Sequence, residues 1–369
     1  MLHARLSPSS SSRWLTCTAS VEQADKYENT TNSAAEWGTV THGIGELILK
    51  DLEIPKIVEG HKWDNEQYEC ALEYANYVRE FITKDSVVLI EEQFNLSSIS
   101  DGQFGTSDAT VLNQNHLHIF DLKTGHNIVN AEENTQMMLY AIGAVDELEM
   151  LYDIEQITLH IVQTRANHIS TWNLSYDELI EFKQFAKQQA EKIISGNTEF
   201  NPTEKACKWC PHQANCEALR THVENTIKDA FNELEEIEGK ADLISDDHIK
   251  KVLDNKDLIL GFIKAVEQVA LERMQNGEEI KGYKLVEARK NKKWVDEGKV
   301  EEYLKSRDDG MDYYQPPKLL PMGKILKILK DDETLQELIV VPRGDAIVAP
   351  ESDKREPITK VCDEFDSLS

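Results

Sequence analysis

Apolar residues recur at three- and four-residue spacings over some stretches of this chain and alternate over others, which predicts a mixed α/β protein. Val40, Ile44, Leu47 and Ile48 fall on one face of a helix over Glu36–Lys50, and a second helix runs over Asn65–Thr83 through Tyr68, Leu72, Tyr77, Val78 and Phe81. Before both, Ser7–Val21 reads as a Ser/Pro-rich lead into a short helix, capped by Ser12 or a neighbour, with Trp14, Leu15 and Val21 apolar. The period then drops to two. Ser86–Leu96, Gln103–Leu112 and Leu117–Lys123 are β-rich runs, separated by Asp101-Gly102 and by the polar patch from Asn113 to His116. A helix over Ala131–Met150 carries Met138, Ala141, Val145 and Leu148 as its core stripe. Strands over Gln156–Thr164 and His168–Leu174 follow, then a helix over Tyr176–Ser195 that ends at Gly196. Lys256–Asn276 is helical again, with Leu258, Phe262, Ala265, Val266 and Val269 on one side and Gly277 as the stop.

The strand pattern puts charge where a sheet should not want it. If Gln114 and Asn115 form a tight turn with Asn113 paired to His116, antiparallel partners sum to 229 and Asp108 stands directly opposite Asp121. Opposed positions have Cβ atoms ~4.5–5.5 Å apart, and like charges there are destabilising. Lys123 lies two residues from Asp121 and so shares its face, as do Leu117, Ile119 and Phe104, which points to partial burial. An exposed hairpin neutralised by Lys123 fits this setting poorly. A divalent cation with a preference for hard oxygen ligands, Mg²⁺ or Mn²⁺, is the natural partner of two opposed carboxylates. Gln136 and Tyr140, four apart on the next helix, and His42 and Glu46, four apart on the early helix, extend the set.

Composition bounds the class. The chain has 369 residues, 40% of them apolar and 29% charged; that suggests about two domains at ~150 residues each. No window approaches the ~18 apolar residues of a membrane span, and the N-terminus lacks the apolar stretch of a secretory signal, so a cytoplasmic location without membrane contact is expected. The balance of 40 basic to 67 acidic residues, net −27, argues globally against a nucleic-acid ligand. Locally it varies. Asp229–His248 carries eight acids and one lysine, which suits a solvated helix face or linker. Lys281, Lys284, Arg289, Lys290, Lys292, Lys293 and Lys299, with Tyr283 and Trp294 interleaved, form a basic stretch suited to single-stranded DNA or to a lysine-protected hairpin edge. From Arg343 onward the sequence reads as an acidic, poorly ordered tail.

Three of the six cysteines fall within Cys207-Lys-Trp-Cys210-Pro-His-Gln-Ala-Asn-Cys216. In a reducing compartment such clustering points to metal rather than disulfide. The fourth ligand is open among Cys17, Cys70, His212 and His222, and zinc or an iron–sulfur cluster would each suit the donors. Cys70 and Cys362 fit no pattern.

The set Gly38-Thr39-x-x-His42-x-x-x-Glu46, Gly105-x-x-Asp108, Asp121-Leu-Lys123 and Gln136-x-x-x-Tyr140 resembles the PD-(D/E)XK nuclease superfamily, in particular its RecB/AddB-like exonuclease branch. The opening Leu6-Ser-Pro-Ser-Ser-Ser-Ser-Arg-Trp-Leu-Thr-Cys17 looks like a phage- and prophage-borne family within that branch. The resemblance covers Leu6 to Leu219. It implies a restriction-endonuclease-like α/β core, with a mixed central sheet flanked by helices, over residues 1–225. A mainly helical accessory region over 226–345 and an acidic flexible tail over 346–369 would follow.

By the same resemblance, Asp108, Asp121 and His42 bind Mg²⁺ or Mn²⁺. Lys123 orients the attacking water or stabilises charge on phosphate, and Gln136 and Tyr140 support the site or contact DNA. Cys17, Cys207, Cys210 and Cys216 match the one-upstream, three-downstream layout of iron–sulfur nucleases. They imply a 4Fe–4S cluster stapling the N-terminal helix to the end of the core, with Zn²⁺ as the alternative. Asp121 stands where many relatives have Glu, one methylene longer. The implied activity is metal-dependent exonuclease hydrolysis at linear DNA ends, in phage recombination or replication inside a bacterial host. A single-strand annealing or binding protein or a helicase would be a plausible partner. The alternative is a non-catalytic DNA-binding or scaffold module that keeps the fold.

Overall fold

The structure, a computed structural model, describes residues 4–28, 33–235 and 246–283. The chain opens with a 3₁₀ turn (Pro8–Ser10) and two short helices, α1 (Ser11–Trp14) and α2 (Ser20–Ala24). The expected single helix is thus broken into short pieces. Two long helices follow, α3 (Ser33–Leu49) and α4 (Asn65–Arg79), around a two-stranded hairpin, β1 (Ile57–Val58) and β2 (His61–Lys62). Val40, Ile44 and Ile48 of α3 bury against Ala71 and Ala75 of α4, where the sequence period placed them. α4 starts sharply because Asp64 and Gln67 cap each other's backbone N–H groups.

A five-stranded sheet forms the centre, ordered β3 (Val87–Asn95), β4 (Phe104–Asn113), β5 (His116–Leu122), β6 (Gln156–Gln163) and β7 (His168–Leu174). All neighbours are antiparallel except β5 and β6, which run parallel. α5 (Thr135–Leu148) makes the crossover this parallel pair requires. On one sheet face α5 and α6 (Tyr176–Ile194) build the main core with Leu112, Leu117, Ile119, Leu159 and Ile161. On the other, Tyr74 and Val78 of α4 pack on Ala109, Val111, Phe120, Leu122 and Val162. The architecture is α/β, a mixed sheet flanked by helices on both sides.

Beyond the sheet lie α7 (Glu204–Cys207), α8 (Glu217–Glu235), α9 (Asp246–Asp254) and α10 (Lys256–Gln275). Cys207, Leu219, Val223 and Leu258 form a small satellite core among them. Of the basic stretch only Lys281 and Tyr283 are described, both exposed; its remaining residues, the accessory region over 236–245 and from 284 on, and the acidic tail lie outside the described residues. Among the described residues no helix is long and apolar enough to cross a membrane.

Candidate active site

The β4–β5 hairpin turns at Gln114, whose φ of 55° is the left-handed conformation a tight turn demands. It pairs Asn113 with His116 and Ala109 with Phe120, the predicted register. One position beyond that last rung stand Asp108 and Asp121, and there the Leu122 N–H donates to Asp108 Oδ2 at 2.7 Å. β3 extends the row. Ile90 pairs with Ala109 and Glu92 with Ser107, so Glu91 faces Asp108 from the other side. Three carboxylates therefore lie abreast on three adjacent strands. Glu91 sits mid-strand at φ 53°, a conformation that costs a non-glycine residue ~1–2 kcal/mol.

α3 delivers His42 to this row, with Nδ1 3.2 Å from Asp108 Oδ1. His42, Glu91 and Asp108 each present a ligand atom, and the three atoms lie within 4.8 Å of one another. Asp121 is held from the other side. Its Oδ2 lies 2.8 Å from Lys123 Nζ, and its Oδ1 accepts from Gln136 Nε2 at 3.2 Å. Gln136 also accepts from Lys123 Nζ at 2.9 Å and donates to the Tyr140 hydroxyl at 2.9 Å. One amide on α5 thus fixes the lysine, the inner carboxylate and the tyrosine together. His42, Asp108, Asp121, Lys123, Gln136 and Tyr140, with Glu46, Glu91 and Ser7–Ser9, line one cleft of about 450 Å³.

The two motif glycines are explained by close approach. A Cβ on Gly105 would lie 2.5 Å from Pro8 Cγ and 3.0 Å from Tyr140, and one on Gly38 would lie 2.9 Å from Thr124 Oγ1. Gly105 lets the N-terminal turn and α5 close over the strand bearing Asp108. Gln163, fully buried at the end of β6, accepts from the Val129 N–H and donates to the Gly125 and Asn127 carbonyls. It pins the loop that follows Lys123.

The electrostatics follow from crowding acids in a partly dry cleft. Burial opposes a charged His42, but the Asp108 carboxylate, with Asp121 and Glu91 behind it, outweighs burial and raises the imidazole to about 9. Burial and then Asp108 push Glu91 up to about 8. For Asp108 itself burial works upward, yet His42 holds it below the usual carboxylate range. Asp121 is raised, by burial first and by Asp108 as well, against the pull of Lys123. Tyr140 is raised by burial and by Asp121 and stays protonated. Oxygen donors plus one imidazole, in a row whose acids repel one another, suit a hard divalent cation.

The cysteines form a second centre. Cys17, Cys207, Cys210 and Cys216 line one small pocket, with Cys17 contributed by the N-terminal segment from far along the chain. Of the other fourth-ligand candidates, His212 lines the same pocket with its Nδ1 bonded to the Tyr27 hydroxyl, His222 Nε2 is bonded to Asn255, and buried Cys70 lies apart on α4. Burial raises Cys17, Cys207 and Cys210, Cys207 to about 12, and each thiol feels its neighbours' charge. The Asn201 N–H donates to Cys17 Sγ at 3.5 Å. Among the described residues no three of these sulfurs fall within 4.8 Å of one another.

Sequence reasoning missed Glu91 and Gln163. The pair Glu91-Glu92 inside a β-rich run was the available signal for the first; the second, a polar residue closing an apolar strand, offered none. Residues 3–356 match a family described as "Protein of unknown function (DUF2800)". A solved structure titled "Crystal structure of SSO0001" matches over 56% of this chain and 95% of that one, at 12% identity and a TM-score of 0.24, too low to bear on the fold.

Proposed function

The chain belongs to the DUF2800 family, and we propose that it is a divalent-metal-dependent deoxyribonuclease of PD-(D/E)XK type acting on linear DNA ends. The observation that carries this reading is the convergence of His42, Asp108, Asp121 and Lys123 in one cleft. Nothing structural requires acids abreast in a sheet at the cost of a strained Glu91, whereas phosphodiester hydrolysis does need anionic ligands beside a cation. His42, Asp108, Asp121 and Glu91 would hold Mg²⁺ or Mn²⁺. The bound ion would supply an activated water and offset charge on the phosphate oxygens.

The chain's own groups do the rest. Lys123, aimed by Gln136 and paired with Asp121, places an ammonium at the cleft, where it orients water or faces the phosphate. Tyr140 keeps its proton and holds the Gln136 amide, so its role is positioning. Ser7–Ser9 form one wall of the cleft.

Cys17, Cys207, Cys210 and Cys216 are assigned to a 4Fe–4S cluster that fastens the N-terminal wall to the far end of the fold; zinc is the alternative. A phage-borne role beside an annealing protein or helicase follows from the resemblance alone.

The test is degradation of end-labelled linear DNA with Mn²⁺ or Mg²⁺ by the cluster-loaded protein. Wild type should cleave, and Asp121→Ala and Lys123→Ala should each lose at least ~10²-fold. Absence of metal-dependent cleavage of any DNA form, with the cluster intact, would favour a non-catalytic DNA-binding module.

A further inference from the structure

We propose that Trp209, exposed on the loop between Cys207 and Cys210, is a base-stacking platform for single-stranded DNA leading into the cleft. This deepens the nuclease reading and rests on it. An indole is an expensive group to leave in water, and Trp209 is 74% exposed. Its loop is held in place, since the Arg13 guanidinium donates to the Trp209 carbonyl at 3.3 Å and the Cys210 N–H closes the turn on the Cys207 carbonyl at 3.1 Å. An exposed aromatic on a fixed loop is pre-organised to bind.

The surroundings select the partner. Lys208 Nζ lies 5.9 Å from the indole centroid, within reach of a phosphate next to a base stacked on the ring. A hollow of about 550 Å³ beside the ring is bordered by Lys208 and Lys264 and by the acids Glu204 and Asp257. The two lysines balance the two acids, and Arg13, whose guanidinium reaches the Trp209 carbonyl, adds one further cation at this corner. The second link is positional. Ser7–Ser9 wall the cleft, and Arg13 follows only four residues after Ser9, about 6 Å of helical rise. One rigid N-terminal piece thus touches both the proposed reaction site and the Trp209 loop. A single strand suits this path because every base offers a face to an indole, whereas a stacked duplex does not.

The experiment measures binding apart from cleavage, on full-length cluster-loaded protein without added divalent metal, by anisotropy of labelled oligothymidylate and of a blunt duplex. Trp209→Ala should weaken oligothymidylate binding by about 5- to 150-fold, with little change for the duplex. Trp209→Tyr should stay within ~3-fold of wild type. Lys208→Glu, which leaves the loop's anchors untouched, should weaken binding and flatten its salt dependence. Absorbance near ~400 nm should be kept in all three. Equal affinities for wild type, Trp209→Ala and Lys208→Glu would overturn the platform, as would a wild type that does not bind the oligonucleotide. So would a Trp209→Ala effect confined to self-association in sedimentation. Trp209-dependent binding without metal-dependent cleavage sinks the nuclease reading alone; cleavage with Trp209-independent binding sinks the platform alone.

Discussion

Glu91 combines two unfavourable properties, a left-handed backbone in mid-strand and a carboxylate facing Asp108. Without metal the cleft relieves itself by keeping protons, on Glu91 up to about 8 and on His42 up to about 9. Both groups are therefore mostly protonated at neutral pH, and a cation must displace those protons. Calorimetric Mn²⁺ titration in buffers of different ionisation enthalpy should show release of roughly two protons near pH 7. Affinity should climb as pH rises from 7 to 9 and level off above. Glu91→Gln should release roughly one proton fewer and bind more weakly; unchanged proton release would remove Glu91 from the ligand set. The sign for stability is opposite. A carboxyl whose folded pKa lies above its unfolded value favours the fold only while protonated, so metal-free wild type loses stability relative to Glu91→Gln as pH rises from 4.5 to about 8. The Tm gap should widen across that window. Asp108 and Asp121 could be placed from sequence because a two-residue turn leaves one register. Glu91 could not: Asp101-Gly102 suggests a pivot there, whereas the observed β3–β4 pairs centre between Ile99 and Ser100, inside a longer connection.

At the scale of elements, the sheet face under α4 holds a buried chain of neutral polar rings. The Tyr77 hydroxyl meets His160 Nδ1 at 3.0 Å, His160 Nε2 meets His118 Nδ1 at 3.1 Å, and His116 lies tilted against His118 while bonding Thr158. Burial, then the neighbouring imidazoles, lowers His118 to about 4 and His160 to about 3. Depressed imidazoles contribute their stability above ~6.5 and lose it as pH falls towards the folded values. Wild type should thus lose on the order of 2 kcal/mol per histidine by pH 5. The pair variant His118→Gln/His160→Gln, which keeps hydrogen-bonding groups but does not titrate there, should show a shallower fall of Tm with acid. Parallel Tm curves for the two proteins would exclude these rings as the cause. This interior was not legible in the sequence: β5 and β6 are covered on both faces, so His118 and His160 interrupt apolar runs rather than mark a polar face. The helices α3, α5, α6 and α10 were legible, because each carries its apolar stripe over three turns or more. The N-terminal pieces were not. α1 and α2 are each too short to show a period, and contacts hold them: Trp14 donates to the Ser7 carbonyl, and Ser11 bonds Thr135 at the start of α5.

Over the whole molecule, Cys17 and the Cys207–Cys216 loop meet although almost two hundred residues separate them. Fastening them closes nearly the entire sheet and its helices into one loop. Chain closure of that length is worth on the order of 5 kcal/mol for a covalent link, an upper figure for a cluster that also has to assemble. The proposed closure would also set one wall of the cleft, because Ser7–Ser9 and Cys17 belong to one packed N-terminal segment. It would also offset what the net charge of −27 costs the compact state by self-repulsion. That charge does not forbid DNA. The acidic run over Asp229–His248 and the acidic tail lie outside the proposed core, and the cleft's carboxylates await a cation. Engagement of DNA in the cleft should accordingly depend on divalent metal, whereas the Trp209 corner should hold a single strand without it at low salt. Cys17→Ser should abolish absorbance near ~400 nm, lower Tm by about 10–20 °C, and reduce cleavage with it. Cys70→Ser, an equally buried thiol away from the pocket, should keep the absorbance and shift Tm by no more than about 3 °C. Loss of colour without loss of Tm would make the cluster an ornament of a fold that stands alone. A colourless wild type with stoichiometric zinc would keep the staple and replace its metal. Equal damage from Cys17→Ser and Cys70→Ser would reduce both to ordinary core thiols and leave the N-terminal wall to be held by Trp14 and Ser11.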